Sequence, residues 1–125
     1  MLIVDDSEIL QDNLKQMLSN IPDIDIIGYI KDESGAIDQV NTLLPDAVIL
    51  DINLESGSGI TVLRYIKKYH PGIKVMILTN YTSDYISRAC KHFQADRFLD
   101  KSFQFMEVRE VLLSWVTQYN AIWRV

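Results

Sequence analysis

The sequence predicts an α/β fold in which helices cover both faces of a parallel sheet. Short runs rich in β-branched and aliphatic residues alternate with stretches whose apolar residues recur at helical spacing, and this happens five times along the chain. The central runs, VILD and VMILT, are almost continuously apolar, as is typical of strands buried on both faces. Strands that alternate regularly with helices predict a doubly wound sandwich of three layers.

The predicted strands are separated by residues that break regular structure. They cover residues 2–4, 24–30, 47–50, 74–78 and 97–99. Pro22, Pro45, residues 57–59 and the Pro71-Gly72 pair fall between them, where turns are expected. The second strand, DIDIIGYI, partly alternates between polar and apolar residues, which indicates an edge position in the sheet.

The stretches between the strands predict helices with one apolar face each. The residues that form these faces are Ile9, Leu10, Leu14, Met17 and Leu18 in the first helix; Ile37, Val40, Leu43 and Leu44 in the second; Ile60, Val62, Leu63, Ile66 and Tyr69 in the third; Tyr85, Ile86, Ala89 and Phe93 in the fourth; and Val108, Val111, Leu112, Trp115, Val116 and Tyr119 in the fifth. The spacing of i, i+3, i+4 and i+7 is the reason for each assignment.

The fifth stripe predicts a helix over residues 103–119, and Ile122 and Trp123 continue its apolar pattern. We expect residues 1–119 to form one domain and residues 120–125 to be a C-terminal extension or the start of a linker. Apolar surface that the sheet cannot cover often marks a partner site. The hypothesis is that this end contacts a second subunit or leads into an output domain.

Composition excludes several classes of protein. The net charge is −5 and no Lys- or Arg-rich run is present, which argues against direct binding of nucleic acid. Cys90 is the only cysteine, so a reducing compartment is expected. The opening MLIVDDSEIL is no signal peptide, and no apolar run has the roughly 18 residues of a membrane span. We therefore expect a cytoplasmic domain without membrane contact.

Polar residues stand at the carboxyl ends of four predicted strands. Asp5 and Asp6 follow the first strand, Asp51 the third, Thr79 the fourth and Lys101 the fifth. In an open parallel sheet, ligands bind outside the carboxyl ends of the strands, near the point where the strand order switches. These side chains are therefore expected to meet in one small region.

The residue types at these ends indicate a metal ion and a phosphoryl group. Neighbouring carboxylates repel one another and raise each other's pKa values unless a cation lies among them. Mg²⁺ suits oxygen ligands and shares phosphate oxygens. Lys101 and Thr79 then remain to meet an anion by charge and by hydrogen bonding. A carboxylate such as Asp51 can itself attack phosphorus and form an aspartyl phosphate.

LIVDD, VILDINLESGSGI, VMILTN and DRFLDKS together resemble the receiver domain of two-component response regulators, in order and spacing, over essentially the whole chain. The DKS segment is similar to the branch with helix-turn-helix output domains. The resemblance implies a flavodoxin-like sheet in the order 2-1-3-4-5 and a role for each matching residue. These are Asp51 as phosphoacceptor, Asp5 and Asp6 as the acidic pair for Mg²⁺, the Asn53 main-chain carbonyl as a further ligand, Thr79 as switch hydroxyl, Lys101 as partner of the phosphate and Phe98 as aromatic switch.

The same resemblance implies partners and a limited chemistry. A sensor histidine kinase or a phosphotransfer protein would supply the phosphoryl group. The fourth helix, fifth strand and fifth helix would report the change and could form a homodimer. The domain would catalyse only its own phosphorylation and dephosphorylation, and would not be an enzyme acting on a separate substrate.

Two departures from the family pattern lie beside the expected site. Glu55 stands where the family often has proline, which predicts a more mobile loop after Asp51. Ser102 follows Lys101 where proline is usual. A cis bond without proline costs about 2.5–4 kcal/mol, so a cis bond is not assumed there, and the sequence leaves the isomer open.

Three alternative functions remain open. A Mg²⁺-dependent phosphatase with an aspartyl nucleophile would need a second acid two residues after Asp51, where this chain has Asn53. A flavin-binding domain of the same fold would need amides and hydroxyls where acids stand. A receiver that binds partners without phosphorylation would not need the set of acids, threonine and lysine.

Overall fold

Strands and helices alternate strictly along the chain in the computed structural model, which describes residues 1–123 and the side chains of residues 1–120. The elements are β1 Leu2–Val4, α1 Glu8–Leu18, β2 Gly28–Ile30, α2 Glu33–Leu43, β3 Ala47–Leu50, α3 Gly59–Tyr69, β4 Lys74–Thr79, α4 Asp84–His92, β5 Arg97–Asp100 and α5 Glu107–Trp123. The predicted α/β class is confirmed.

All neighbouring strands run parallel in one five-stranded sheet of order β2-β1-β3-β4-β5, which confirms the predicted order. The chain moves outwards from β1 to β2, then crosses back to β3 on the other side of β1. The strand order therefore switches between β1 and β3. Because the strands are parallel, their carboxyl ends lie along the same edge of the sheet.

Alternate residues of each strand enter two separate cores, as the period of two in a β-strand requires. On one face, strand residues such as Leu50 and Ile77 pack with buried residues of α2, α3 and α4. On the other face, Ile49 and Met76 pack with buried residues of α1 and α5. The predicted three-layer sandwich is therefore confirmed, and α1 and α5 share a layer.

A hydroxyl or carboxylate caps the start of each of the first four helices. The side chains of Ser7, Asp32, Ser58 and Ser83 each accept a hydrogen bond from a main-chain N–H in the first turn. Such caps satisfy N–H groups that have no partner within the helix. The caps fix where α1, α2, α3 and α4 begin, and hence the length of the loops at the carboxyl edge of the sheet.

The second strand is shorter than predicted. Residues 24–30 were expected to be extended, but β2 contains only Gly28–Ile30. As an edge strand, β2 pairs only with β1, which has three residues, and the register runs from Leu2↔Gly28 to Val4↔Ile30. The length of β2 depends on how many residues of β1 pair with it. The sequence of residues 24–30 contains no information about β1.

The last helix begins later than predicted. Residue 103 was expected to start it, but α5 begins at Glu107 and Phe103 is 89% exposed. The Asp100 carboxylate accepts hydrogen bonds from the N–H groups of Ser102 and Phe103, and its own N–H donates to the Gln104 side chain. These contacts stabilise a turn between β5 and α5 and delay the helix.

Several residues assigned to apolar helix faces are instead exposed. Ile9 is 75% exposed on α1, Tyr69 is 56% exposed on α3 and Tyr85 is 79% exposed on α4. Each lies at or near a helix end, where the helix extends past the residues it packs against. The spacing rule identifies a face correctly but does not say how far along the helix that face is covered.

Helix α5 contains 17 residues, a length of about 26 Å. The predicted boundary at residue 119 falls within it. The apolar side chains of Ile122 and Trp123, on which the hypothesis of a C-terminal contact depends, lie outside the described side chains, and residues 124–125 lie outside the described chain. Within the described part, no helix combines the length and apolar character needed to cross a bilayer.

Candidate functional site

The Lys101 ammonium lies between two buried carboxylates at the carboxyl edge of the sheet. Its Nζ is 2.8 Å from Asp5 Oδ2 and 3.0 Å from Asp51 Oδ2. Asp5 is 1% exposed and Asp51 is 5% exposed. Buried charges are tolerated when they are paired and hydrogen-bonded, so the three side chains form one electrostatic unit.

The pKa values of this unit reflect burial and pairing together. Burial raises the pKa of Asp5 above its ordinary value, although the hydrogen bonds from Lys101 and the Ser7 N–H oppose the change. Burial also disfavours the Lys101 ammonium, but its hydrogen bonds to Asp5 and Asp51 outweigh this and raise the pKa of Lys101. The lysine is therefore firmly cationic at neutral pH.

The main chain just after each strand orients both acids. Asp5 Oδ1 accepts a hydrogen bond from the Ser7 N–H at 2.7 Å, and Asp51 Oδ1 accepts one from the Ile52 N–H at 2.7 Å. Each carboxylate thus has one oxygen held by the following loop and one oxygen near Lys101. This arrangement fixes both side chains in the pocket before any ligand binds.

Asp6 joins the two buried acids to form a cluster that suits a metal ion. One carboxylate oxygen from each of Asp5, Asp6 and Asp51 can be chosen so that all lie within 4.8 Å of one another. Asp6 is exposed whereas the other two are buried. Three carboxylates facing one ammonium leave excess negative charge, and oxygen ligands suit a hard divalent cation. The residues present therefore fit a metal site.

Thr79 lies at the end of β4 and is fully buried. Its Oγ1 accepts a hydrogen bond from the Tyr81 N–H at 3.1 Å, and its carbonyl accepts one from the Lys101 N–H at 2.9 Å. The side chain of Phe98 in β5 is partly buried against the core beneath α2, α3 and α4. The fold thus brings Thr79 next to Lys101 along the sheet edge, while Phe98 lies within β5, on the sheet face covered by α2, α3 and α4.

Asn53 lies in the exposed loop that follows β3. Its side-chain amide donates a hydrogen bond to the Tyr81 hydroxyl at 3.0 Å. The loop is also tied to the turn after β2, because the Glu55 N–H donates to the Lys31 carbonyl at 3.0 Å. A proline at position 55 has no N–H and could not make this contact. The departure from the family pattern therefore adds a tie to the loop that was expected to be more mobile.

Ser102 and Gly59 complete the surroundings of the site. No cis peptide bond occurs in the described residues, and the Lys101–Ser102 bond is trans. The Ser102 hydroxyl donates to Asn80 Oδ1 at 3.0 Å, which links the loops after β4 and β5.

A Cβ added to Gly59 would lie 1.9 Å from the Asp51 carbonyl oxygen, so only glycine allows α3 to start so close to β3.

Sequence reasoning missed Glu33, whose Oε1 accepts a hydrogen bond from the Ser58 N–H at 3.0 Å. An acid in the first turn of a helix is common because it interacts favourably with the helix dipole. The helix dipole is enough to explain an acid at this position, so the sequence gives no reason to expect the hydrogen bond with Ser58, which joins positions 25 residues apart. Nothing in the local pattern around Glu33 indicates this contact.

Comparison with known proteins finds the chain similar to response regulators. A family model described as the response regulator receiver domain matches residues 1–113. The response regulator protein VraR of Staphylococcus saprophyticus is 35% identical over 83 residues, which are 66% of this chain and 40% of that protein. The DNA-binding transcriptional activator DevR/DosR of Mycobacterium tuberculosis is 34% identical over 82 residues, which are 66% of this chain and 38% of that protein.

Solved structures show the same relationship. The crystal structure of a LuxR-family DNA-binding response regulator from Staphylococcus aureus superposes with a TM-score of 0.82 at 25% identity, covering 92% of this chain and 97% of that chain. This chain spans about two fifths of the length of the first curated relatives that it matches. The relatives include DNA-binding regulators, in agreement with the resemblance to that branch. The matched residues contain the acidic pocket and every strand of the sheet, and the chain therefore belongs to the response regulator receiver domain family.

Proposed function

We propose that Asp51 accepts a phosphoryl group from the phosphohistidine of a sensor kinase or phosphotransfer protein, with Mg²⁺ bound beside it. The observation that carries this proposal is the position of Lys101 Nζ between the buried carboxylates of Asp5 and Asp51. A nucleophilic carboxylate, a fixed cation and a cluster of metal-binding acids are the groups that phosphoryl transfer requires.

The transfer would proceed by attack of an Asp51 carboxylate oxygen on phosphorus. The P–O bond forms as the P–N bond to the donor histidine breaks, and the leaving imidazole takes a proton from water. The Ile52 N–H, 2.7 Å from Asp51 Oδ1, holds one oxygen so that the carboxylate cannot rotate freely. Lys101 would neutralise charge on the oxygens of the transferred group, and such fixed charges supply most of the catalysis.

Asp5, Asp6, Asp51 and the Asn53 main-chain carbonyl are the proposed ligands of Mg²⁺. When bound, the ion would supply positive charge to the phosphoryl oxygens. The spacing of the three carboxylates supports this set, and the exposure of Asp6 leaves room for water, which Mg²⁺ tends to retain. Lys101 already pairs with two of the acids, so it would keep them together before the metal arrives.

Thr79 and Phe98 are proposed to convert phosphorylation into a change of surface. The Thr79 hydroxyl would turn to donate to a phosphoryl oxygen and draw the loop after β4 towards Asp51. Its link to the Tyr81 N–H would then be rearranged. Phe98 has no hydroxyl, so it would respond by packing alone. Phosphorylation would shift a pre-existing equilibrium between two arrangements of α4, β5 and α5.

Exposed apolar side chains in the chain segments that follow β1 and β5 support a protein as the phosphodonor. Ile9 is 75% exposed at the start of α1, and Phe103 and Met106 are 89% and 74% exposed between β5 and α5. Exposed apolar groups of this kind are typical of docking surfaces.

We propose a cytoplasmic location, a homodimer through α4, β5 and α5, and a DNA-binding output domain in the full-length protein.

Intact-mass measurement after incubation with acetyl phosphate and Mg²⁺ tests the phosphorylation. We expect one phosphoryl adduct that requires the metal and is absent from Asp51→Asn. An adduct that persists in Asp51→Asn would assign the phosphoacceptor elsewhere. A complete lack of adduct would instead favour a domain that binds partners without phosphorylation, and sustained turnover of p-nitrophenyl phosphate would favour a phosphatase.

A further inference from the structure

The turn between β2 and α2 holds the loop after β3 at three points. The Glu33 N–H donates to the Ser56 carbonyl at 2.9 Å, and Glu33 Oε1 accepts from the Ser58 N–H at 3.0 Å. The Glu55 N–H donates to the Lys31 carbonyl at 3.0 Å. Glu33 is the only side chain among these contacts, so it is the one contact that a substitution can remove selectively.

The shape of the loop accommodates the Glu33 side chain. Gly57 has a φ of +93°, and a Cβ added there would lie 2.4 Å from Glu33 Cβ and 2.7 Å from Glu33 Oε1. A φ in this region and an absent side chain both favour glycine. The loop therefore packs directly against Glu33, and any other residue at position 57 would displace one of them.

The hydrogen bond that holds Ser58 also restrains Asn53. Ser58 and Asn53 pair across the loop in an antiparallel bridge, and the Gly59 N–H donates to the Ile52 carbonyl at 2.7 Å. The end of the loop is thus joined to its beginning, two residues after Asp51. Fixing the Ser58 N–H therefore also fixes the main chain at Asn53.

We propose that Glu33 is a positioning residue for the metal site. Its carboxylate holds Ser58, and through the bridge it keeps the Asn53 carbonyl in place as a ligand of Mg²⁺. This inference rests on the proposed function, since it requires that the acidic cluster binds Mg²⁺. It assigns to the first turn of α2 a role in metal binding that the interaction of an acid with the helix dipole does not provide.

Two substitutions at Glu33 separate positioning from charge. Glu33→Ala removes both the charge and the acceptor, whereas Glu33→Gln removes the charge but retains an oxygen for the Ser58 N–H. Asp38→Ala is a matched control, because Asp38 is an exposed acid on the same helix. Mg²⁺ affinity would be measured for all four proteins by titrating MgCl₂ into ¹⁵N-labelled samples and following amide shifts. Amide hydrogen exchange at Ser58 and Gly59 would be measured without metal.

We expect Glu33→Ala to weaken Mg²⁺ binding roughly tenfold, the lower end of the effect of losing a group that orients a metal ligand. Glu33→Gln and Asp38→Ala should stay within about twofold of the unmodified protein, because in both the Ser58 N–H keeps an acceptor. Exchange at Ser58 should become faster in Glu33→Ala alone.

Equal losses in Glu33→Ala and Glu33→Gln would overturn the inference in favour of a charge effect. Unchanged Mg²⁺ affinity in Glu33→Ala would overturn it as well, while leaving the proposed function intact. If the unmodified protein shows no Mg²⁺-dependent shifts, the proposed metal site fails and the inference fails with it. The two failures are therefore distinguishable in one set of titrations.

Discussion

The side-chain amide of Asn53 donates a hydrogen bond to the hydroxyl of Tyr81 at 3.0 Å, across 28 residues of sequence. This contact joins the loop after β3 to the loop after β4, at the edge of the sheet where Asp51 and Thr79 lie. The Tyr81 N–H also donates to Thr79 Oγ1. Tyr81 therefore connects the proposed switch hydroxyl to the loop that carries a proposed metal ligand.

Replacing Tyr81 with phenylalanine should shorten the lifetime of the aspartyl phosphate. The ring remains, but Asn53 loses its acceptor, so the loop after β3 is held less firmly and water reaches the phosphoryl group more readily. A hydrogen bond of this kind contributes about 0.5–1.5 kcal/mol, so we expect the decay to be roughly two- to tenfold faster. Intact-mass measurement of the adduct over time, after removal of the phosphodonor, gives the rate.

Tyr85→Phe is the control for that substitution, because Tyr85 is 79% exposed and its hydroxyl has no hydrogen-bond partner among the described residues. Its adduct should decay at the unmodified rate. A lifetime in Tyr81→Phe that is equal to or longer than that of the unmodified protein would contradict the role given to the Asn53–Tyr81 contact.

Removing the Lys101 ammonium should destabilise the metal-free protein. Lys101→Ala leaves the buried carboxylates of Asp5 and Asp51 without their cation, and loss of one partner from a buried ion pair costs about 3 kcal/mol or more. Added Mg²⁺ should recover much of this loss, because it neutralises the same acids. Thermal unfolding with EDTA and with MgCl₂ measures both effects. A Tm deficit that Mg²⁺ leaves unchanged would count against a shared site.

The raised pKa of Asp5 predicts a pH-dependent gain in stability for Asp5→Asn. In the folded protein Asp5 holds its proton to a higher pH than its ordinary value of 3.8, so the folded state binds more protons than the unfolded state in that window. Stability then falls as the pH rises through the window. Asp5→Asn has no such titration, so its Tm advantage should grow from about pH 3 upwards and then level off.

Those Tm measurements require EDTA, because a bound cation would favour the ionised carboxylate. We expect the Tm of Asp5→Asn, relative to that of the unmodified protein, to be higher at neutral pH than near pH 3. If the Tm of Asp5→Asn relative to the unmodified protein instead falls as the pH rises from about 3 to neutral, pairing of Asp5 with Lys101 outweighs burial and the pKa of Asp5 is lowered.

Gly59→Ala should disrupt the loop after β3. The added Cβ would lie 1.9 Å from the Asp51 carbonyl oxygen, so the main chain beside the proposed phosphoacceptor has to move. We expect a loss of about 2 kcal/mol or more in the free energy of unfolding, as for other overpacked positions, together with slower phosphorylation. Gly72→Ala has open space around its Cβ and should change neither. Urea unfolding and adduct formation test the pair, and equal effects at the two glycines would reject the steric argument.

The sequence by itself determined the class of fold and which residues at the strand ends meet in one pocket. Residues such as Val48 and Ile77 lie in apolar runs that the sequence alone identifies as strands. The carboxyl ends of strands in a parallel sheet meet at one edge, whatever the details of packing. For that reason Asp5, Asp51 and Lys101 could be assigned to a common pocket although 96 residues separate the first from the last. The apolar stripe of α5 was also identified from the sequence. The turn stabilised by Asp100 makes the helix begin at Glu107 and not at residue 103.

Tertiary structure alone decided how those residues contact one another and what surrounds them. The length of β2 depends on β1, and the exposure of Ile9 and Tyr85 depends on where neighbouring elements end. The contacts of Glu33 with Ser58 and of Asn53 with Tyr81 join loops that are distant in sequence. Such contacts depend on the relative placement of whole elements. Local propensity and residue spacing do not determine that placement.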